Sequence, residues 1–233
     1  MEVALLPELQ QFRLVSVDNP GCGDSSYDEN HPLNIDALVE LIEKFVAHLG
    51  LDRFFLVGGS MGGLVALLYA ERNPKKVAGF VNVEGNLVPE DCMFSRKVIS
   101  HSYSHFENVV FPQIKKALSA KVGRGFAQHL QVLKKANSRA YYDYAFQTVE
   151  YSDHGHLLQR FLNLPVPKCF LYGSENRHLS YLPRLRASEW ESECTVIEIP
   201  DAGHFLFYDE PNRYAAALSS FANSCLASLR DSS

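Results

Sequence analysis

What the sequence is short of narrows the field before any motif is read. None of its apolar runs is long enough to span a bilayer, so no membrane partner is expected. Clusters of lysine and arginine are missing too: Lys115 with Lys116 and Lys134 with Lys135 are isolated pairs that read as solvated helix faces. With a formal net charge of −5, nucleic acid is not an expected partner. The first residues, Met1, Glu2, Val3 and Ala4, lack the basic segment and long apolar core of a secretory signal. The five cysteines show no paired spacing, and Cys169 and Cys194 fall in predicted strands as small buried hydrophobes. A reduced, cytoplasmic protein is the expectation. Internal repeats and low-complexity segments are also missing.

What is there suits one packed domain with an insertion: 233 residues, 46% of them hydrophobic and 21% charged. The chain is organised around residues 54–63, Phe-Phe-Leu-Val-Gly-Gly-Ser-Met-Gly-Gly. The run before Ser60 is short, aromatic and branched, which predicts a buried parallel strand. Leu64, Leu67, Leu68 and Glu71 then fall at helical spacing, up to the stop at Asn73 and Pro74. Strand, tight turn and helix form the setting in which G-x-S-x-G means a nucleophile elbow. So sharp a turn demands a strained backbone at Ser60, and bulk at positions 58 and 62 is expected to collide with the adjoining strand and helix. The hydroxyl is pushed out above the sheet, over a helix N-terminus that favours developing negative charge.

Along the chain, residues 3–10 read as a helical remnant and residues 12–17 as an apolar strand running into the Gly- and Pro-rich loop 18–25. Ile35, Leu38, Val39, Ile42, Val46 and Leu49 predict a helix closed by Gly50. Residues 77–83 predict a strand ending at Glu84, Gly85 and Asn86. From about 89 to 164 the texture changes to aromatics and charges at helical spacing, a helical cap insertion. Core strands return at 168–172 and 195–199, with helices at 181–190 and 212–229. Strands alternating with helices imply an α/β fold: a mostly parallel sheet with helices on both faces, made by residues 1–88 and 165–233.

A serine at an elbow needs a base, and the base needs an orienting acid. His204 follows a predicted strand in the loop Asp201-Ala202-Gly203-His204, at the same end of the sheet as Ser60. His31 and His48 read as surface or packing residues, and His154 and His156 as an insertion loop. His101 and His105 have the i, i+4 spacing of a helical metal pair, but no HExxH-type acid accompanies them, so no metal is expected. Two acids stand in the required chain order between serine and histidine: Glu84, at the end of the next strand, and Glu175, after the strand beyond it.

Residues 18–25, Gly58-Gly59-Ser60-Met61-Gly62 and Asp201-Ala202-Gly203-His204-Phe205 resemble the α/β-hydrolase family, and with the helical insert the resemblance covers almost the whole chain. It implies hydrolysis of a carboxylic ester or similar acyl bond, with Ser60 as nucleophile, His204 as base and the Met61 N–H as oxyanion donor. No metal or organic cofactor is implied, and the partner is a small-molecule substrate, with an apolar acyl or aromatic group preferred. The family's commonest acid position is Asn176 here, which is no carboxylate; certain haloalkane dehalogenases carry the acid one strand earlier, which matches Glu84. Their nucleophile is aspartate, so Ser60 argues against that chemistry and against epoxide hydrolysis. The first strand found here matches the family's fourth. The third, whose His-Gly loop donates a second oxyanion amide, precedes the first strand found here, and in the family's sheet it lies between the strands matched by residues 12–17 and 54–57. That leaves a truncated hydrolase, or a reduced form in which those two strands pair directly. It also keeps open a ligand-binding pseudo-hydrolase, and a C–C bond hydrolase or cofactor-free perhydrolase. The oligomeric state is left open.

Overall fold

Four stretches dominated by apolar residues form the sheet: β1 (Phe54–Gly59), β2 (Val77–Val83), β3 (Lys168–Gly173) and β4 (Thr195–Ile199). The computed structural model describes residues 2–189 and 194–231. All three strand pairings are parallel and the order is β1-β2-β3-β4. Parallel neighbours need crossover helices, and those cover both faces, which is why β2 and β3 are buried at every residue. Side chains alternate across the sheet: Phe80, Phe170 and Tyr172 point to one core, while Val81, Val83, Cys169 and Leu171 point to the other.

The first core is closed by helices α1 (Ile35–His48) and α2 (Met61–Arg72). Asn34 caps α1 by accepting the Ala37 N–H at 2.7 Å. The helix ends in a left-handed Gly50 (φ +64°) whose N–H, with that of Leu51, returns to the carbonyls of Ala47 and Val46. Helix α2 is buried continuously from Gly63 to Ala70, as expected of a helix apolar on all sides.

Between β2 and β3 the chain is helical: α3 (Met93–Ile99), α4 (Tyr103–His105) running through a π-turn into α5 (Phe111–Ser119), then α6 (Arg124–Lys134), α7 (Ser138–His154) and α8 (Leu157–Asn163). This helical stretch has its own small core of Val98, Phe106, Phe111, Ile114 and Leu133. Of the aromatics in this stretch, Phe106, Phe111 and Tyr144 are buried packing residues, Tyr103, Tyr141 and Tyr142 pack against the small core, and Phe146 faces solvent. After β3 come α9 (Leu182–Glu189), α10 (Leu206–Asp209) and α11 (Pro211–Asp231), the last packed on the second core through Tyr214, Ala215 and Phe221. Trp190, expected at the end of α9, lies outside the described residues. Among the described residues no helix is long and apolar enough to cross a membrane.

Three expectations need correction. Residues 3–10 form two short 3-10 turns, Glu2–Leu5 and Pro7–Leu9, not a helix remnant of α type. Residues 12–17 are not a strand. A ladder requires a neighbour with free backbone groups at about 5 Å, and here a cavity of about 720 Å³ separates this segment from β1. Leu14, Val15 and Val17 on one wall and Val57 on the other are left exposed. The two stretches thus do not pair directly. Finally, Cys194 is buried but sits one residue before β4 rather than in it.

Candidate active site

The carboxyl ends of the strands carry the residues of interest, and three of them share a rare backbone. Ser60, Glu84 and Asp201 have φ of 51°, 44° and 59°, in the left-handed region that side chains with a Cβ seldom occupy. Strain of this kind costs of order 1–3 kcal/mol per residue and persists only where the surroundings enforce it. At Ser60 the enforcement is visible. Its N–H donates to the Val83 carbonyl at 3.2 Å, and its own carbonyl accepts the Gly63 N–H at 2.9 Å. A side chain at position 58 would strike the Gly62 carbonyl and Ala66, so this glycine is required, as expected. Position 62, in contrast, opens onto free space. The second crowded glycine is Gly63, where a Cβ would lie 2.6 Å from the Gly85 Cα. The tight approach is therefore between the start of α2 and the turn after β2. Asn82, fully buried, fixes that turn by accepting the Gly85 N–H at 2.6 Å.

The register pairs Gly59 with Val83, so Ser60 and Glu84 leave adjacent strands side by side. The Glu84 side chain is only 5% exposed, and a buried carboxylate must be matched by donors. Four bonds do this. Oε1 accepts the Gly173 N–H at 2.8 Å and Asn176 Nδ2 at 2.9 Å, while Oε2 accepts Asn176 Nδ2 at 2.9 Å and meets His204 Nδ1 at 2.8 Å. Asn176 thus gains a role its sequence position did not reveal: it is a donor that steadies the acid. Gly173 is needed because a side chain there would strike the carbonyls of Ala202 and Gly203, in the loop that carries the imidazole.

Of the two acids weighed, Glu84 contacts His204, whereas Glu175 is exposed and follows β3 with its N–H bonded to the Ala202 carbonyl. The Ser60 hydroxyl is exposed and makes no hydrogen bond among the described residues, so its link to His204 is not closed here. Met61 is the first residue of α2, and its N–H therefore has no carbonyl one turn earlier in the helix. The His101 and His105 rings lie 5.0 Å apart between centroids, tilted by 41°, and no third potential metal ligand joins them among the described residues.

Residues not singled out in the sequence also gather here. Phe205, beside His204, is covered by His129 and Phe126 of α6. Burial, with a smaller contribution from nearby His204, pushes the His129 imidazole down to about 4, so it is neutral at ordinary pH. Close by, Asp91 is pushed up to about 6 by burial, although its carboxylate accepts the N–H groups of Leu87 and Val88. Tyr181 is raised by burial and by the charges of Asp91 and Glu84.

Comparison with known proteins follows the same lines. The family model for the alpha/beta hydrolase fold matches residues 1–124. Haloalkane dehalogenase 2 of Mycobacterium bovis is 27% identical over 225 residues, covering 89% of this chain and 78% of that protein. A rice (Oryza sativa subsp. japonica) protein named "Probable 1-acylglycerol-3-phosphate O-acyltransferase" is 24% identical over 89% of this chain. The present chain spans 60% of that relative's length. Among solved structures, a carboxylesterase study of the Thaumarchaeon Nitrososphaera gargenis superposes with a TM-score of 0.72 at 13% identity, over 91% of this chain and 79% of that one.

Proposed function

This chain belongs to the α/β-hydrolase fold family, and we propose that within it the protein is a serine hydrolase that cleaves a carboxylic ester or similar acyl bond. The single observation that carries this reading is the 2.8 Å contact between Glu84 Oε2 and His204 Nδ1, one strand away from a serine held in a left-handed turn. Glu84 fixes the tautomer that leaves His204 Nε2 free to accept a proton. Ser60 Oγ attacks the acyl carbon as its proton passes to Nε2. The tetrahedral oxyanion takes the Met61 N–H, and collapse breaks the bond to the leaving alcohol, which takes the proton from His204. Water, deprotonated by the same imidazole, then releases the acid. Hydrogen bonds between nucleophile and base are often long before substrate binds and tighten in the complex. The helical insert of residues 89–164 serves as a cap, and Phe126 and His129 bring it against the histidine loop.

A serine nucleophile distinguishes this reading from the chemistry named for the dehalogenase relative. A second reading, a non-enzymatic protein that holds a small ligand beneath the cap, draws support from the Ser60 hydroxyl, which makes no hydrogen bond among the described residues. A fluorophosphonate probe separates the two. Labelling of Ser60, abolished in Ser60→Ala and reduced at least about 10³-fold in His204→Ala, is the expected result. An unlabelled protein that still binds acyl ligands would favour the second.

A further inference from the structure

Helix α6 of the insert meets the His204 loop through one carboxylate and a set of rings. Asp209, the last residue of α10, accepts the Gly125 N–H at 3.1 Å with Oδ1 and the Gly203 N–H at 3.2 Å with Oδ2. Gly125 lies in the first turn of α6, and Gly203 immediately precedes His204. On the other side of the imidazole, the Phe205 ring stacks on His129 at 4.5 Å and takes the edge of Phe126 at 5.8 Å. His204 itself contacts Phe205 at 5.4 Å between centroids. The approach is close enough that a Cβ on Gly125 would lie 2.6 Å from Asp209 Oδ1 and 2.7 Å from Phe205 Cβ. The residues on both sides of His204 are therefore held by contacts that involve α6, while Glu84 holds only one ring nitrogen.

We propose that Asp209 is a positioning residue: by bridging Gly125 and Gly203 it locks the insert onto the histidine loop, so that docking of α6 fixes where the imidazole stands. A carboxylate suits this task because its two oxygens accept from two N–H groups at once, and charge strengthens both bonds. The role rests on the hydrolase reading for its kinetic test only. Because small misplacements of a catalytic group cost up to about 10² in rate, loss of the bridge acts on turnover rather than on substrate binding.

The test compares Asp209→Ala, Asp209→Asn and Gly125→Ala with the unaltered protein, using p-nitrophenyl acetate turnover, amide hydrogen exchange in α6 and the NMR signals of the His204 ring. For Asp209→Ala the expectation is kcat about 10- to 100-fold lower, with KM within about threefold. Exchange in α6 rises about tenfold and the His204 ring signals shift. Asp209→Asn keeps one acceptor and falls between. Gly125→Ala keeps the carboxylate but wedges the contact apart, and reproduces the exchange and ring changes even if Asp209→Ala fails to fold. Faster exchange in α6 with unchanged His204 signals in these variants overturns the proposal, because Asp209 then only fastens the insert. Unchanged exchange overturns it as well. If the unaltered protein neither labels nor turns over ester, the hydrolase reading fails, and the exchange and ring signals alone decide the role of Asp209.

Discussion

The two sides of β1 behave in opposite ways. On its inner side, β2 and β3 are buried along their whole length, and the carboxylate between them is matched by backbone, amide and imidazole donors. On its outer side lies the cavity of about 720 Å³, with Val57 44% exposed on one wall and Val17 51% exposed on the other. Ser60 hangs from the strand where these regimes meet. The Glu84 carboxylate is anchored in the closed half of the sheet, where it holds the His204 ring, while the strand that presents the hydroxyl is supported from one side. Orientation of the imidazole is therefore a property of the packed half, and presentation of the serine depends on the half that is open.

The largest expected effect probes the closed half directly. Glu84→Gln preserves shape but offers the wrong partner to His204 Nδ1, and ester turnover falls about 10²- to 10⁴-fold. Glu175→Gln, outside the network, stays within about twofold. The opposite ranking in a steady-state assay would move the acid to β3's loop and dissolve the contrast. Next in size is a stability pair measured by urea unfolding. Phe170, packed against Tyr172 and Tyr181, should cost about 3–5 kcal/mol when cut to alanine. Val57→Thr on the open edge should cost less than about 0.5 kcal/mol. Similar losses at both positions would show that the outer edge is covered in solution. The smallest effect concerns Asp91, whose folded value of about 6 stands above the ordinary 3.8. The folded state holds that proton more tightly, so the contribution is complete below about pH 4 and is lost as pH rises through about 6, at most about 3 kcal/mol. Asp91→Asn should flatten the stability profile in that window; an unaltered profile would mean that the pocket around this acid is wetter than its burial implies.

The parts of the fold legible in the sequence were those written in local pattern. The branched and aromatic runs at β1, β2 and β3 and the Gly50 stop each carry their own signal, and the elbow followed from glycines around Ser60. Residues 12–17 carry the same kind of signal and do not form a strand, because a ladder is a property of two segments and here both of them line a cavity instead of pairing. The same reason hid the function of Asn176: a side chain's composition shows what it can donate, but the recipient, Glu84, is 92 residues away. Asp209 was silent for an equivalent reason, since its two N–H donors, Gly125 and Gly203, lie in separate parts of the chain. The crowding at Gly63 instead of Gly62 needed the position of Gly85, which only the packed turn supplies.

The contact between Glu84 and His204 closes a loop of 120 residues, and that has a consequence for how the chain matures. Closing long loops carries an entropic cost that local helices avoid. During synthesis the helices between β2 and β3 can form while the carboxylate still waits in water, and β4 with its following loop must emerge before the imidazole reaches it. Interruption before residue 173 leaves Glu84 without any of its four bonds, and interruption between 177 and 203 leaves it without the imidazole, so the shortest nascent or clipped forms should keep this end of the sheet unfolded. Contact between the carboxylate and the imidazole thus waits on synthesis of β4 and the loop that follows it.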